Sequence, residues 1–297
     1  QSALMWMKTA TLQDCSDMKV LDGKVVAAAW REQLLQKIEE LKQENCVPGL
    51  AIVLAGDSKP SAMYAHFMEK VADSYGFKAT ICHRGEDVTQ QEMEQLIHEL
   101  NHDNAVHGIL LMMPLPRGLD TSRIISCMNP DKDVDGLTSV NLGRLAAGED
   151  GHFPCTPRAV MAILDYYHIP LDGKRAVVLG RSKVVGRPIS LLLEGRNATV
   201  TVCHSHTKQM DELAHEADIL VAAMGRPEKV TACMVKPGAV VIDVGINRIN
   251  GKTVGDVDYA GVSEVAGALT PVPGGVGSVT TTMVVDAIVR EAGKRIK

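Results

Sequence analysis

Apolar residues recur at spacings of three and four along "DGKVVAAAWREQLLQKIEELKQEN", where Val26, Trp30, Leu34, Ile38 and Leu41 share one side. That period predicts an amphipathic helix. After Pro48 the pattern changes to an unbroken apolar run, "GLAIVLAG" (Gly49–Gly56), as expected of a buried strand. The alternation then repeats. "SAMYAHFMEKVADSYG" reads as a helix ending at a Gly76 C-cap, and "FKATICHRG" as a strand. "TQQEMEQLIHELNHD" reads as a helix with Thr89 at its N-cap, and "VHGILLMMPLP" as a strand closed by two prolines. Strands alternating with helices imply a largely parallel sheet with right-handed crossovers.

A second series follows. Thr156-Pro157 opens the helix "RAVMAILDYY", with proline in the first turn. Then come the strand "RAVVLG", a helix after Gly186, the strand "ATVTVCH", the helix "MDELAHEA", and the strands "DILVAAMG" and "GAVVIDVGI". "TTTMVVDAIVREAGKRIK" closes the chain as a long helix. The predicted class is α/β with two domains: an N-terminal α/β domain and a Rossmann-like doubly wound parallel sheet, with a cleft between them. The seam is expected near residues 150–157. It divides a folate-binding or catalytic domain (8–155, joined by the C-terminal helix 278–297) from a nucleotide-binding domain (156–277). No Gly/Ser linker, repeat or low-complexity tract interrupts the pattern.

Composition narrows this picture. Of 297 residues, only 3% are aromatic, so the cores must be built from Val, Ile, Leu, Ala and Met, which suits covered parallel sheets. A net charge of −5 gives no pull toward nucleic acid, and no apolar run reaches the roughly 18 residues of a membrane span. The seven cysteines (Cys15, Cys46, Cys82, Cys127, Cys155, Cys203, Cys233) are scattered without a C-x-x-C pair. They read as reduced thiols of a cytoplasmic protein, with no metal site expected. The opening segment, with Asp14 and Asp17, is a poor signal peptide, and Gln1-Ser2 reads as a tag remnant.

Candidate chemistry begins at "VVLGRSKVVGRP" (Val177–Pro188), where Gly180, Arg181, Ser182 and Gly186 follow a buried strand. A dinucleotide fold seats its pyrophosphate at such a turn, although here Ser182 takes the place of the middle glycine. An ordinary strand-to-helix connection would look the same. The next strand ends in "VCHSHTK", without the acid that binds a free ribose hydroxyl in NAD-specific folds. His204, Ser205, His206 and Lys208 stand there instead. With Arg181 they favour a 2′-phosphate, hence NADP over NAD; a solvated polar loop is the bland alternative. The His204/His206 pair lacks a third metal ligand. Gly225 in "AAMGRP", and Gly245 and Ile246 in "DVGIN", lie at later strand ends, where ligands of such sheets bind.

"NPDKDVDGLTSVNLGRL" (Asn129–Leu145), together with "VLGRSKVVGRP", "VIDVGINR", "VGDVDY" and "LTPVPGGVG", closely resembles the methylenetetrahydrofolate dehydrogenase/cyclohydrolase family, FolD type. The resemblance runs from about Leu21 to the last helix. It implies a homodimer that interconverts methylene- and methenyltetrahydrofolate with NAD(P), and in many members hydrolyses the methenyl compound to 10-formyltetrahydrofolate. It further implies that Asp135 accepts hydrogen bonds from the pterin, that Tyr64 packs on the p-aminobenzoyl ring, and that Pro273, Gly274 and Gly275 let the backbone approach the pterin. Arg181 and Ser205 match the positions that hold the 2′-phosphate. Without the resemblance, Asp133 and Asp135 would read as loop turn chemistry and Tyr64 as an ordinary helix residue.

Three departures matter. The family's S-x-x-Y-x-x-x-K reads "SAMYAHFM", with Met68 at the lysine position; Lys70 lies about 200° further round the helix. Met112 replaces the glutamine of Q-L-P-L-P, and "PGGVGPMT" reads "PGGVGSVT", with Ser278 and Val279. The resulting expectation is an NADP-dependent dehydrogenase of one-carbon metabolism whose cyclohydrolase activity is lost or strongly impaired. The alternatives are a full bifunctional enzyme, a catalytically retired NADP-binding regulator, and a dehydrogenase of the same architecture with another small substrate.

Overall fold

A computed structural model describes residues 18–296. Cys15, Asp14, Asp17, Gln1-Ser2 and residues 8–17 of the expected first domain lie outside the described residues. The chain begins with β1 (Lys19–Val20), α1 (Gly23–Gln43), β2 (Gly49–Ala55), α2 (Lys59–Tyr75), β3 (Lys78–Arg84), α3 (Gln90–His102) and β4 (Gly108–Leu111). Next are α4 (Thr121–Ser126), α5 (Ser139–Ala147), α6 (Cys155–Tyr166), β5 (Arg175–Leu179), α7 (Gly186–Glu194), β6 (Thr199–Cys203) and α8 (Met210–His215). It ends with β7 (Ile219–Ala222), β8 (Val240–Asp243), β9 (Asn247–Ile249), β10 (Lys252–Val254), α9 (Tyr259–Ser263), β11 (Ala268–Leu269) and α10 (Val276–Lys294).

The first sheet is parallel, in the order β3-β2-β4. Every residue of the central strand β2 is buried, which is why its sequence is an unbroken apolar run. Edge strand β3 exposes part of its length and carries charges. Local chemistry fixes the helix ends. Asp22 Oδ1 accepts the Lys24 N–H at 2.7 Å, Ser58 caps α2, and Gly76 ends it at φ 75°. Thr89 and Glu92 close a capping box on α3.

The second sheet is also parallel, in the order β1-β11-β8-β7-β5-β6. From central β5 the chain first moves to β6 on one side and then to β7 on the other. This makes the β5/β7 boundary the topological switch point of a doubly wound fold. The predicted α/β class, with its Rossmann-like parallel sheet, is therefore observed.

Several elements differ from the sequence expectation. β1 and β11 have two residues each and give no periodic signal. The antiparallel β9–β10 pair and helices α4, α5 and α9 are additional. The strand read across "VHGILLMMPLP" stops at Leu111; the Met112 N–H still reaches Val53 O at 2.9 Å, and the chain then turns through its prolines. Helix α6 starts at Cys155, before Thr156-Pro157, and α10 starts at Val276, ahead of both 278 and Thr280.

Two crossings join the halves. β1, at the start of the described chain, is an edge strand of the second sheet. Helix α10 leaves that sheet's end and packs on α1 and α6. Arg158 of α6 donates to Met283 O at 3.0 Å and pairs with the buried Asp286 of α10. One continuous apolar core runs from Leu50 and Ile52 in the first sheet, through Ile163, Val285 and Ile288, to Val178 and Ile242 in the second. Among the described residues, no helix is long and apolar enough to cross a membrane.

Candidate active site

The switch point is closed by backbone. Gly180 follows β5 at φ 127°, and a Cβ there would overlap the Ala223 carbonyl oxygen beyond β7. A Cβ on Gly186, the first residue of α7, would overlap the Gly180 carbonyl oxygen. Only glycine satisfies both positions, so the 180–186 loop folds tightly back on itself. Ser182 Oγ accepts the N–H groups of Val185 at 3.2 Å and Gly186 at 3.3 Å, capping the turn from within. Arg181 is exposed beside it.

At the end of β6, the His204 N–H donates to Thr207 Oγ1 at 2.9 Å and the Thr207 N–H to His204 O at 2.8 Å. Ser205 and His206 are exposed at the tip of this turn. Desolvation, followed by the Arg181 guanidinium and the neighbouring His206 ring, holds the His204 imidazole below its ordinary value. The ends of β5 and β6 thus form one basic corner. Among the described residues, no group of three or more His, Cys, Asp or Glu side chains is placed to hold a metal ion.

A cavity of about 240 Å³ opens at the end of β8. Gly245 and Ile246 form one wall, and the turn from Pro271 to Ser278, with Pro273, Gly274 and Gly275, forms another. Thr253, on the unanticipated β10, completes it. Ser278 faces this space, whereas Val279 is fully buried in the core. The start of α1 holds the turn from behind: the Gly23 N–H donates to Gly274 O at 2.8 Å, and a Cβ on Gly23 would overlap the Gly275 carbonyl oxygen. Asp243 also lines the cavity. Burial pushes its carboxyl up to about 6, against the pull of three backbone N–H donors and with a further push from Asp256.

The first domain contributes a different constellation. Asp133 is fully buried and accepts from Leu137 N–H at 3.0 Å, Thr138 N–H at 2.8 Å and Asn141 Nδ2 at 3.1 Å. Its oxygens are spent on the start of α5. Asp135, two residues on, accepts the Cys155 N–H at 3.3 Å. Burial lifts its carboxyl to about 6; Cys155 opposes this through hydrogen bonds, and the charge of Asp133 adds to it. Tyr64 on α2 is 36% exposed. Burial raises its phenol well above the usual range, and the Asp135 charge raises it further, so the ring and the carboxylate sit in one neighbourhood. Phe67 extends the aromatic surface, its ring centroid 6.1 Å from that of Tyr64.

Met68 lies one helical turn after Tyr64 on α2, and it and Met112 are buried where Tyr64 is partly exposed. They are 1% and 6% exposed and belong to the same apolar core as Leu54, Ala65 and Ala72. Three groupings result: Tyr64 with Asp135, Gly180–Gly186 with Arg181 and His204, and Gly245–Ile246 with Pro273–Gly275. Tyr64 and Asp135 are not among the cavity walls, and Gly225 lies exposed at the end of β7. Sequence reasoning missed Gly23, Cys155, Thr253, Asp243 and Asp256. For the two aspartates a signal existed: an acid inside the apolar run "AVVIDVGI", and another in "VGDVDY".

The family described as "Tetrahydrofolate dehydrogenase/cyclohydrolase, catalytic domain" matches residues 21–135, and its "NAD(P)-binding domain" matches residues 154–296. The bifunctional protein FolD of Macrococcus caseolyticus is 46% identical over 268 residues, covering 90% of this chain and 95% of that protein. The bifunctional FolD methylenetetrahydrofolate dehydrogenase/cyclohydrolase of Campylobacter jejuni superposes with a TM-score of 0.92 at 42% identity, covering 94% of this chain and 99% of its own. The Trypanosoma brucei methylenetetrahydrofolate dehydrogenase-cyclohydrolase, solved with NADP cofactor and inhibitor, gives a TM-score of 0.88 at 34% identity, covering 95% and 99% of the two chains.

Proposed function

The chain belongs to the tetrahydrofolate dehydrogenase/cyclohydrolase family, and on that premise we propose an NADP-dependent methylenetetrahydrofolate dehydrogenase with little or no cyclohydrolase activity. In this reading residues 8–155 and the returning helix 278–297 form the folate side, and residues 156–277 the cofactor side. Gly180, Arg181, Ser182, Gly186, His204, Ser205, Gly225, Gly245 and Ile246 hold the cofactor. The residues present fit a phosphorylated dinucleotide, because a tight glycine turn stands beside a basic corner.

The bound cofactor supplies a hydride acceptor; the chain supplies position. Ionised Asp135 accepts hydrogen bonds from the pterin donors and fixes its orientation. Tyr64 stacks on the p-aminobenzoyl ring, and Pro273, Gly274 and Gly275 let the pterin lie close to the backbone. None of these tasks requires proton transfer.

Hydrolysis of the methenyl bridge does require it. Water must attack a cationic carbon, and protons must move as the ring opens. The observation that carries the proposed loss is the burial of both Met68 and Met112 in the apolar core, at 1% and 6% exposure. A thioether is only a weak acceptor and carries no exchangeable proton. The test supplies methylene- and methenyltetrahydrofolate as separate substrates. NADP reduction with the first, and hydrolysis of the second at the no-enzyme rate, is the expected result; enzymatic hydrolysis comparable with dehydrogenase turnover would overturn it. The proposal includes a cytoplasmic homodimer, checked by light scattering and cell fractionation.

A further inference from the structure

We infer that Asp256, steered by Asn247 and backed by Asp243, is a positioning residue that sets the cofactor-facing turns after β7 and β8. The inference rests on the functional reading above. Asp256 is fully buried, yet every acceptor direction of its carboxylate is filled. Oδ2 accepts the N–H groups of Met224 at 2.6 Å and Gly225 at 2.9 Å. Oδ1 accepts Arg226 N–H at 2.9 Å and Asn247 Nδ2 at 2.9 Å. The three consecutive amides of the turn after β7 therefore end on one side chain.

The anchoring continues into the next strand end. The Asp256 N–H donates to Asp243 Oδ1 at 3.0 Å, and Asp243 also accepts Gly245 N–H at 2.9 Å and Val257 N–H at 3.0 Å. The Asp243 N–H in turn donates to Thr270 Oγ1 at 2.7 Å, just before the Pro271–Ser278 turn. Two glycines are set by these carboxylates. A Cβ on Gly245 would overlap Asp256 Oδ1, and one on Gly255 would overlap Asp243 Oδ2. Gly225 sits at φ 64° with open space beyond it, so the Asp256 bonds supply what packing does not. These turns lie at the carboxyl ends of β7 and β8, the side on which doubly wound sheets bind ligands.

The roles separate in measurement. A positioning residue changes cofactor affinity while leaving folate affinity and the hydride step nearly intact. A merely structural residue lowers the melting temperature and scales kcat with the folded fraction. In Asp256→Asn one acceptor oxygen becomes an NH₂ donor facing backbone N–H groups. The NADP KM, and the NADPH Kd read from fluorescence, should each rise about tenfold or more, given that a charged hydrogen bond is worth roughly 1.5–3 kcal/mol. Asn247→Ala keeps the charge and the three backbone bonds, and should raise the same Kd by a smaller factor at an unchanged melting temperature. It carries the test if Asp256→Asn does not fold. Wild-type NADPH titration comes first and needs no turnover. No binding by wild type overturns the functional reading and this inference together. Tight wild-type binding with an unchanged Kd in a folded Asp256→Asn, or in Asn247→Ala where only that variant folds, overturns the positioning role alone.

Discussion

Asp133 and Asp135 are identical residues two positions apart, yet their environments give them different work. The oxygens of Asp133 are occupied by the amides that start α5, whereas Asp135 retains acceptor capacity beside Tyr64 and has its carboxyl lifted to about 6 by burial. The raised value means the native protein holds this proton more tightly than the unfolded chain, whose value is near 3.8. The Asp135 contribution to stability therefore falls as pH rises from about 4 to about 6. Ligand binding runs the opposite way, because the proposed pterin contact needs the ionised form. The folate KM should climb as pH drops through about 6, and Asp135→Asn should raise that KM and flatten the profile; a wild-type KM constant from pH 5 to 8 would remove the role. At the methionine pair, Met68→Lys alone should lower the melting temperature, since it places an ammonium where 1% of the side chain is exposed. Met68→Lys with Met112→Gln should recover part of that loss and raise methenyl hydrolysis by about 10²–10⁴-fold, the usual worth of general acid–base catalysis. Both methionines could be read from sequence as misfits to the family pattern. The division of labour between the two aspartates could not, because it depends on which backbone amides the loop turns toward each one.

At the scale of elements, the long periodic segments were legible and the short ones were not. Helices α1, α2, α3 and α10 announce themselves by a spacing repeated over several turns, strands β2 and β5 by apolar runs, and β6 by its alternating threonines and valines. Strands β1 and β11 have two residues apiece and exist only because the neighbouring strand offers its edge. Helix α5 begins inside the motif "NPDKDVDGLTSVNLGRL" and runs two residues past it, with too few turns to set a clear apolar period after the acids. The glycines divide similarly. Gly180 and Gly186 stand in a recognisable turn, but Gly23 sits at the start of an ordinary helix, and only the Gly275 carbonyl against it explains the missing side chain. Between elements, the α6–α10 contact holds an ion pair, Arg158 with Asp286, exposed by only 12% and 4%. Arg158→Ala leaves a buried carboxylate without its counter-charge and should cost about 3–5 kcal/mol. Thermal melting checks this; an unchanged midpoint would mean that solvent replaces the arginine.

At the scale of the whole molecule, the two halves exchange elements. β1 is donated to the second sheet, and α10 returns from that sheet to lie against α1 and α6. The returning helix was legible as a long closing segment; the donated strand was not. This exchange has a consequence in time. Ribosomes release a chain amino end first, and domains generally fold in that order. Here the first sheet and its helices are fully synthesised by Tyr166, but the buried residues of α10 that cover them, among them Met283, Val285, Ile288 and Ala292, are made only after the whole second sheet. Until then the faces of α1 and α6 that α10 will cover stay open, a form that chaperones bind and proteases cut. A ribosome-bound chain halted at Gly275 should therefore be digested within its first domain by a protease pulse that spares the released full-length protein. Equal resistance of the two would show that the early-made half closes its core without waiting for α10.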